Sequence, residues 1–208
     1  MIGQGDLPPL LLPAGTGGGC VTSGPFKDMS VNLGPANLDT PDGVVMNPEG
    51  PFAYSPRCLK RDLTTKINQK YANASAILLN VVQPQDINDF QLQMQGKPGS
   101  GNIGIHGGGH YSIGGDPGRD FFTSPGDPAF YLHHSMIDRV WWMWQILNPS
   151  KRTKGTTAIA GTRTVMNQPP SADATIDDII DLGYTGGAPL KIRDLLSTTE
   201  GPFCYMYL

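Results

Sequence analysis

The sequence predicts a mainly α-helical fold with long irregular loops and little β structure. Three observations support this. The 208 residues include 27 Gly and 19 Pro, which favour turns and loops. Hydrophobic residues make up 38% and charged residues 16%, a composition typical of a folded chain rather than a disordered tail. Apolar residues recur at helical spacing from about residue 62. The length corresponds to one domain or part of one.

The N-terminal region, residues 1–57, is predicted to be an extended loop region that wraps around the remaining residues, 58–208. Turn signals such as Pro41-Asp42-Gly43 interrupt it, and no helical period extends far. A short strand is expected near Met29–Leu33. The glycine run at residues 15–19 is not a phosphate loop, because no Lys followed by Ser or Thr comes after it.

Two helices are predicted after residue 62. Leu63, Ile67 and Tyr71 recur at helical spacing, which indicates a helix that ends near Asn73. Asp86 is a candidate N-cap for a second helix that ends near residue 96.

The strongest helix prediction runs from Pro128 to about Leu147. Asp127 is a candidate N-cap, proline is favoured at the first helical position, and Asn148-Pro149 ends the pattern. The following residues, 150–172, are predicted to be a loop. Short helices are expected at 175–180 and 192–196, and the alternating residues 203–208 are predicted to form a strand.

Charge and hydropathy exclude two classes of partner. The net charge is -3 and no basic cluster is present, so nucleic acid is not expected as a partner. No apolar run reaches the roughly 20 residues that span a bilayer, so no membrane segment is expected. The apolar run at residues 7–12 is broken by Pro8 and Pro9 and does not resemble a signal peptide.

The four histidines of the chain form two clusters. His106 and His110 are four residues apart, which places them on one side of a helical turn. The three residues between them are glycines, which are poor helix formers. Alone, such a pair is more often a surface or core feature than a metal site. The intervening glycines suggest that a substrate or another segment approaches closely.

The second cluster, His133 and His134, lies within the long helix. Phe130, His134 and Asp138 share one face of it. Three imidazoles from two segments are sufficient for a site that binds copper, zinc or iron. Asp138 either orients a ligand or forms an ion pair with Arg139, and both interpretations remain open.

The chain resembles a known family of proteins. The run from Asp127 to Arg139 and the Trp-rich turn after it resemble the copper B signature of type-3 copper proteins, the tyrosinases, catechol oxidases and haemocyanins. Four shorter runs resemble the short fungal polyphenol oxidases in particular: Gly19-Cys20-Val21, Gly24-Pro25-Phe26, Gly104-Ile105-His106 and Tyr205-Met206-Tyr207. The resemblance covers most of the chain.

The resemblance implies specific roles. His106, His110 and His134 would bind one copper ion. His133 would be a hydrogen-bonding neighbour, and Phe130 would pack against the ligand rings. Asp138 would lie in the surroundings of the ligands, and the tryptophans are expected to make core or bundle contacts: Trp141, Trp142 and Trp144.

The resemblance also implies an incomplete site. The enzymes of the family use two coppers, each held by three His, within a four-helix bundle. His133 is the one histidine left, so this chain would supply the copper B half of the bundle. A copper A half is then the expected partner, and the chain alone is expected to be inactive. The break before Met1 would reflect a truncated gene model, proteolysis or a two-chain enzyme.

The three cysteines are an odd number, so at least one is free or paired outside the chain. Cys20 or Cys58 can pair with a cysteine of the copper A half. The family resemblance favours a secreted protein over a cytoplasmic one.

The implied reaction is the oxidation of o-diphenols (or o-aminophenols) to o-quinones with O2. In the family, strong monophenol hydroxylases often carry Asn after the first ligand, with a Glu nearby. Gly107 stands at that position and Ile103 is not acidic, which favours diphenol oxidation. The alternatives are a monophenol-hydroxylating tyrosinase and a non-enzymatic oxygen carrier or degenerate relative. Tyr111 and Phe122, with Phe121 and Pro125, either shape access of the phenol or pack the loop.

Overall fold

A computed structural model describes residues 18–40, 42–98 and 100–208. The first 17 residues of the predicted wrapping region, including the apolar run at 7–12, lie outside the described residues. Within the described residues, the first elements are short strands: β1 Ser30–Leu33, β2 Leu38–Thr40, β3 Gly43–Val45 and β4 Tyr54–Cys58. The α-helices follow: α1 Thr65–Tyr71, α2 Ala74–Val82, α3 Ile87–Gln95, α4 Gly104–Ile113, α5 Ala129–Ile146 and α6 Pro149–Arg152. Two short strands come last: β5 Ile179–Ile180 and β6 Leu190–Lys191. The prediction of a mainly helical fold is confirmed.

The strands form three separate antiparallel pairs. β1 pairs with β4, β2 with β3, and β5 with β6. The strand predicted near residues 29–33 is confirmed as β1. Strand β4 continues across the predicted boundary at residue 57, so pairing between β1 and β4 links the two regions on either side of it.

One disulfide joins the N-terminal region to the end of β4. Cys20 and Cys58 are bonded to each other, with their Cα atoms 5.5 Å apart, the usual separation for a disulfide. Neither is therefore left to pair with a cysteine of a copper A half, which corrects that expectation. Cys204 is free and exposed.

Both predicted helices between residues 62 and 96 are confirmed. α1 is shorter than expected, and α3 begins as predicted, because the Asp86 carboxylate accepts a hydrogen bond from the backbone N–H of Asp89 at 2.9 Å. Gly96 ends α3 with a φ of 81°, which favours glycine. Helix α2 was not predicted. It is capped by Asn73, whose side-chain oxygen accepts from the N–H of Ala76 at 2.9 Å.

The long helix α5 is confirmed with small changes at its ends. It begins at Ala129, one residue after the predicted start, and the Asp127 carboxylate accepts a hydrogen bond from the N–H of Ala129 at 2.8 Å. A partly buried ion pair with Arg61, at 2.7 Å, holds this carboxylate in place. Beyond Asn148, Pro149 begins the short helix α6, consistent with the preference for proline in a first helical turn.

The core lies where α3, α4 and α5 meet. Its buried side chains are Ile87, Phe90, Met94, Ile105, Val140 and Trp144. The rings of Phe90 and Trp144 are 4.8 Å apart, and the Trp144 indole donates to the carbonyl of Pro84 at 3.0 Å. This packing satisfies the indole N–H and holds α5, which carries two of the four histidines, against α3.

The C-terminal predictions require correction. Residues 179–180 belong to strand β5 rather than to a helix, and residues 192–195 form a 3-10 turn. Residues 203–208 form no strand; the side-chain hydroxyls of Tyr205 and Tyr207 bind Asp138 of α5. Among the described residues, no helix is long and apolar enough to cross a membrane.

Candidate metal centre and its cavity

Three of the four histidines converge on one point. Nε2 of His110 lies 3.2 Å from Nε2 of His106 and 3.2 Å from Nε2 of His134, and the remaining pair of Nε2 atoms is 3.4 Å apart. Metal–nitrogen bonds of about 2.0 Å with tetrahedral or trigonal angles place ligand nitrogens roughly 3.3–3.5 Å apart. The three side chains therefore have the spacing of a single mononuclear site.

Two carbonyl oxygens fix the tautomers on helix α4. Nδ1 of His106 lies 2.7 Å from the side-chain oxygen of Gln95, and Nδ1 of His110 lies 3.1 Å from the backbone oxygen of Gly118. Because both oxygens can only accept, each Nδ1 carries the hydrogen and each Nε2 presents a lone pair. Two lone pairs 3.2 Å apart repel each other unless a cation lies between them, so the pair fits a metal ion.

Helix α5 supplies the third imidazole. The His134 ring stacks on Phe130, with centroids 3.9 Å apart and an interplanar angle of 24°. This contact restricts the rotation of the imidazole. The neighbouring His133 is directed elsewhere: its Nε2 donates to the backbone carbonyl of His106 at 2.8 Å. That hydrogen bond links α5 to α4, and His133 directly precedes His134, whose Nε2 lies at the point of convergence.

The glycines of α4 allow this close packing. A Cβ at Gly109 would lie 2.1 Å from Cε1 of His133, and a Cβ at Gly108 would lie 2.8 Å from Cβ of Tyr71. Neither position has space for a larger side chain. The expectation that another segment approaches the glycines is confirmed, with α5 on one side of α4 and α1 on another.

Burial keeps the imidazoles neutral. Desolvation, reinforced by the neighbouring imidazoles, lowers the pKa of His106 to about 2. Desolvation also lowers the pKa of His110 and that of His134, and it lowers the pKa of His133 to about 4. Because a metal ion binds the neutral form of imidazole, this environment favours metal binding over protonation.

Comparison with known proteins assigns the family. A family profile described as "Common central domain of tyrosinase" matches residues 4–147. The chain belongs to the tyrosinase family. It is 38% identical over 199 residues to "Tyrosinase P" of Aspergillus terreus, covering 95% of this chain and 54% of that protein. The chain thus spans about half the length of this relative.

Other tyrosinase relatives carry different names. "N-acetyl-6-hydroxytryptophan oxidase ivoB" of Emericella nidulans is 39% identical over 203 residues, covering 93% of this chain and 53% of that protein. A solved structure of a Gly-to-Asn mutant of polyphenol oxidase from Thermothelomyces thermophila superposes with a TM-score of 0.83 at 46% identity. The matched region covers 95% of this chain and 53% of the polyphenol oxidase chain. The fold is therefore that of the tyrosinase family.

A cavity of about 480 Å³ opens beside the three imidazoles of this tyrosinase-family chain. Gly107, Tyr111 and Phe122, the predicted substrate-access residues, all line it. The Tyr111 hydroxyl donates to the Asp39 carboxylate at 2.6 Å, which ties α4 to β2. Phe122 is 52% exposed and lies at the rim. The volume is within the range of small-molecule sites.

Asp138 has partners other than those predicted for it. Its Oδ2 accepts hydrogen bonds from the hydroxyls of Tyr205 at 2.8 Å and Tyr207 at 2.5 Å. Arg139 donates to the backbone oxygen of Leu208. The side chain of Asp138 therefore binds the C-terminal segment to α5, rather than orienting a histidine or pairing with Arg139.

Four residues at the site carried no signal in the sequence. Gln95 and Gly118 hold the imidazoles, while Arg119 and Asp120 line the cavity. Each is remote in sequence from the contact it makes, or acts through its backbone. Of the predicted tryptophan contacts, Trp144 is fully buried in the core.

Proposed function

We propose that this chain provides one copper site of a polyphenol oxidase that oxidises o-diphenols (or o-aminophenols) to o-quinones with O2. The observation that carries the proposal is the convergence of three Nε2 atoms within 3.4 Å, beside a cavity with aromatic walls. His106, His110 and His134 would hold the copper.

Copper suits these ligands better than a harder cation. Imidazole nitrogens favour copper, zinc or iron over magnesium or calcium, and membership of the tyrosinase family supports copper among these. When bound, copper would supply the redox chemistry that couples phenol oxidation to dioxygen. The chain itself would keep the imidazoles neutral and their rings aligned, through Gln95, Gly118 and Phe130.

The cavity would position the phenol ring. Phe121, Phe122 and Phe130 line it together with Tyr111, and aromatic walls favour a flat aromatic substrate. At the residue after His106, Gly107 has no side chain that could assist removal of a phenolic proton. A diphenol needs less help with deprotonation than a monophenol, so this position supports diphenol oxidation.

We further propose that a second three-histidine copper site comes from sequence outside these 208 residues. The chain has four His, and His133 already donates its Nε2 hydrogen to the backbone of His106. One histidine cannot form a second site of the same kind. A copper A half would accordingly be the main polypeptide partner, and phenol and O2 the small-molecule partners.

Copper content and turnover test these proposals separately. The purified chain should bind one copper, and His134→Asn should reduce that content strongly. The chain alone should not oxidise catechol, whereas an enzyme that also contains the copper A half should. Zinc retention without copper would contradict the metal assignment. Catechol turnover by the chain alone would contradict the need for a second half.

Three further results would contradict diphenol oxidation by the complete protein. Faster turnover of a monophenol than of the matching diphenol would identify a hydroxylating tyrosinase. A reversible oxygen-dependent absorption band without any turnover would identify an oxygen carrier. An inability to bind copper would identify a degenerate relative.

We also propose an oxidising compartment for this protein, consistent with secretion. The bond between Cys20 and Cys58 supports it, because structural disulfides persist mainly outside the reducing cytosol. Thiol labelling of the protein from its native source would test this. Labelling of Cys204 alone is expected, and labelling of all three cysteines would contradict the proposal.

A further inference from the structure

Arg119 lies in the wall of the cavity next to the candidate metal centre. It directly follows Gly118, whose backbone oxygen accepts the hydrogen bond from Nδ1 of His110. Its side chain is 9% exposed, and the residue lines the same cavity as the three imidazoles. A cationic side chain is thus buried at the edge of the space that an aromatic substrate would occupy.

The contacts of Arg119 leave part of its guanidinium unsatisfied. Its Cζ lies 5.3 Å from the centroid of the Tyr111 ring, and the closest carboxylate contact is 3.8 Å, to Oδ2 of Asp62. That distance is too long for a hydrogen bond. Among the described residues, Nε of Arg119 is buried and has no hydrogen-bond acceptor.

Asp120, the one carboxylate among the described residues that line the cavity, is already saturated. Oδ2 of Asp120 accepts from the N–H groups of Ala36 at 2.7 Å and Asn37 at 3.1 Å. Its Oδ1 accepts from those of Phe122 and Thr123, both at 2.9 Å. Asp120 therefore has no lone pair left for Arg119, and these four donors offset its charge.

We infer that Arg119 binds the carboxylate of an aromatic substrate whose ring lies in the cavity. A buried cationic donor without an acceptor is costly, and an anionic oxygen satisfies it with a strong, charge-assisted hydrogen bond. A cavity of about 480 Å³ has room for a dihydroxyphenyl ring and a short acidic side chain. This inference rests on the proposed function, and it specifies the substrate class as acidic o-diphenols.

Steady-state kinetics of the complete oxidase provide the first test. The two substrates are 3,4-dihydroxyphenylacetate and 3,4-dihydroxyphenylethanol, which differ in the charge of the side chain. Arg119→Gln should lower the ratio of their kcat/KM values by about 10- to 100-fold, mainly by raising KM for the acid. Arg119→Lys, which keeps the charge, should retain part of the preference.

Arg193→Gln is the matched control. It also removes one positive charge, but Arg193 is exposed and pairs with Asp177 in the C-terminal region, outside the cavity lining. The ratio of kcat/KM values should not change in this variant. An equal fall in both variants would show that net charge, rather than a subsite, controls the preference.

Equilibrium binding to the metal-free chain provides a second test, which excludes coordination of the carboxylate by copper. The probes are 3-phenylpropionate and its neutral amide, 3-phenylpropanamide, with affinities measured by NMR titration. The wild-type chain should bind the acid about 10-fold more tightly or better, and Arg119→Gln should abolish this difference. Equal binding of both probes by the wild type would overturn the inference without any variant.

The two tests separate the inference from the proposed function. If neither diphenol is oxidised but the metal-free chain still prefers the acid, the proposed function fails and the Arg119 subsite stands. If both diphenols are oxidised and Arg119→Gln leaves the ratio unchanged, the subsite is wrong and the proposed function stands.

Discussion

The side-chain oxygen of Gln95 lies 2.7 Å from Nδ1 of His106, so the last residue of α3 determines which nitrogen of that imidazole faces the candidate metal centre. Gln95→Leu should remove this acceptor and lower copper affinity by about 10- to 100-fold, the usual cost of losing a partner of a metal-bound histidine. Titration against a competing chelator measures it.

Gln93→Leu is the control for this prediction. It makes the same chemical change on the same helix, but the Gln93 amide donates to an exposed side chain, that of Gln83. Its copper affinity should equal that of the wild type. Equal affinities in all three proteins would show that Gln95 does not hold His106.

Gly109→Ala should destabilise the chain despite the higher helix propensity of alanine. The new Cβ would lie 2.1 Å from Cε1 of His133, and overpacking of this kind costs about 1–3 kcal/mol. Urea denaturation measures the free energy of unfolding. In a His133→Ala background the same change should cost little, because the obstructing ring is absent. An equal cost in both backgrounds would contradict the contact.

The histidine spacing and the long helix were predictable because both are local features. His106 and His110 belong to one helix, and α5 begins and ends with recognisable residues. Helix α2 was missed because Leu78, Leu79 and Val82 are exposed, so its apolar residues do not follow a single buried face. The strand predicted at residues 203–208 was wrong because alternation shows only that Tyr205 and Tyr207 share one side of the chain, where both bind Asp138, and does not show that a partner strand is present.

The polar partners of the site depend on tertiary contacts. Gln95 and Gly118 come from different elements and resemble ordinary residues in the sequence, since nothing local shows which imidazole they reach. The pairing of Cys20 with Cys58 is likewise not indicated by the local sequence, because it depends on β1 and β4 lying side by side. The spacing of the histidines therefore indicated which imidazoles converge, but not which groups surround them.

Replacing Cys20 and Cys58 together by serine should lower the free energy of unfolding by about 4 kcal/mol. The bond closes a loop with a sequence separation of 38, and the estimate is the entropy that this closure removes from the unfolded chain. Chemical denaturation of the oxidised proteins measures the difference. Cys204→Ser should have no such effect, because Cys204 is free. A loss of less than about 1 kcal/mol would contradict the prediction.

The tyrosines bound to Asp138 should make stability sensitive to alkaline pH. Desolvation and the hydrogen bond to Asp138 raise the pKa of Tyr205 from 10.0 to about 12, and they also raise that of Tyr207. A raised folded-state pKa stabilises the fold fully below pH 10, and this contribution is lost as pH rises towards 12. The free energy of unfolding should therefore fall across that range.

The double variant Tyr205→Phe, Tyr207→Phe provides the comparison. It removes both hydroxyls, so it should be less stable than the wild type at pH 9. The two proteins should converge as pH approaches 12. A constant difference between them over this range would show that the hydroxyls are not responsible.

The four backbone amides around Asp120 also join two distant parts of the chain at the cavity wall. Ala36 and Asn37 come from the connection between β1 and β2, whereas Phe122 and Thr123 come from the connection between α4 and α5. One buried carboxylate accepts from both segments, so a residue without an acceptor at position 120 would leave four N–H donors unsatisfied. The position of Phe122 at the rim therefore depends on a single acidic side chain.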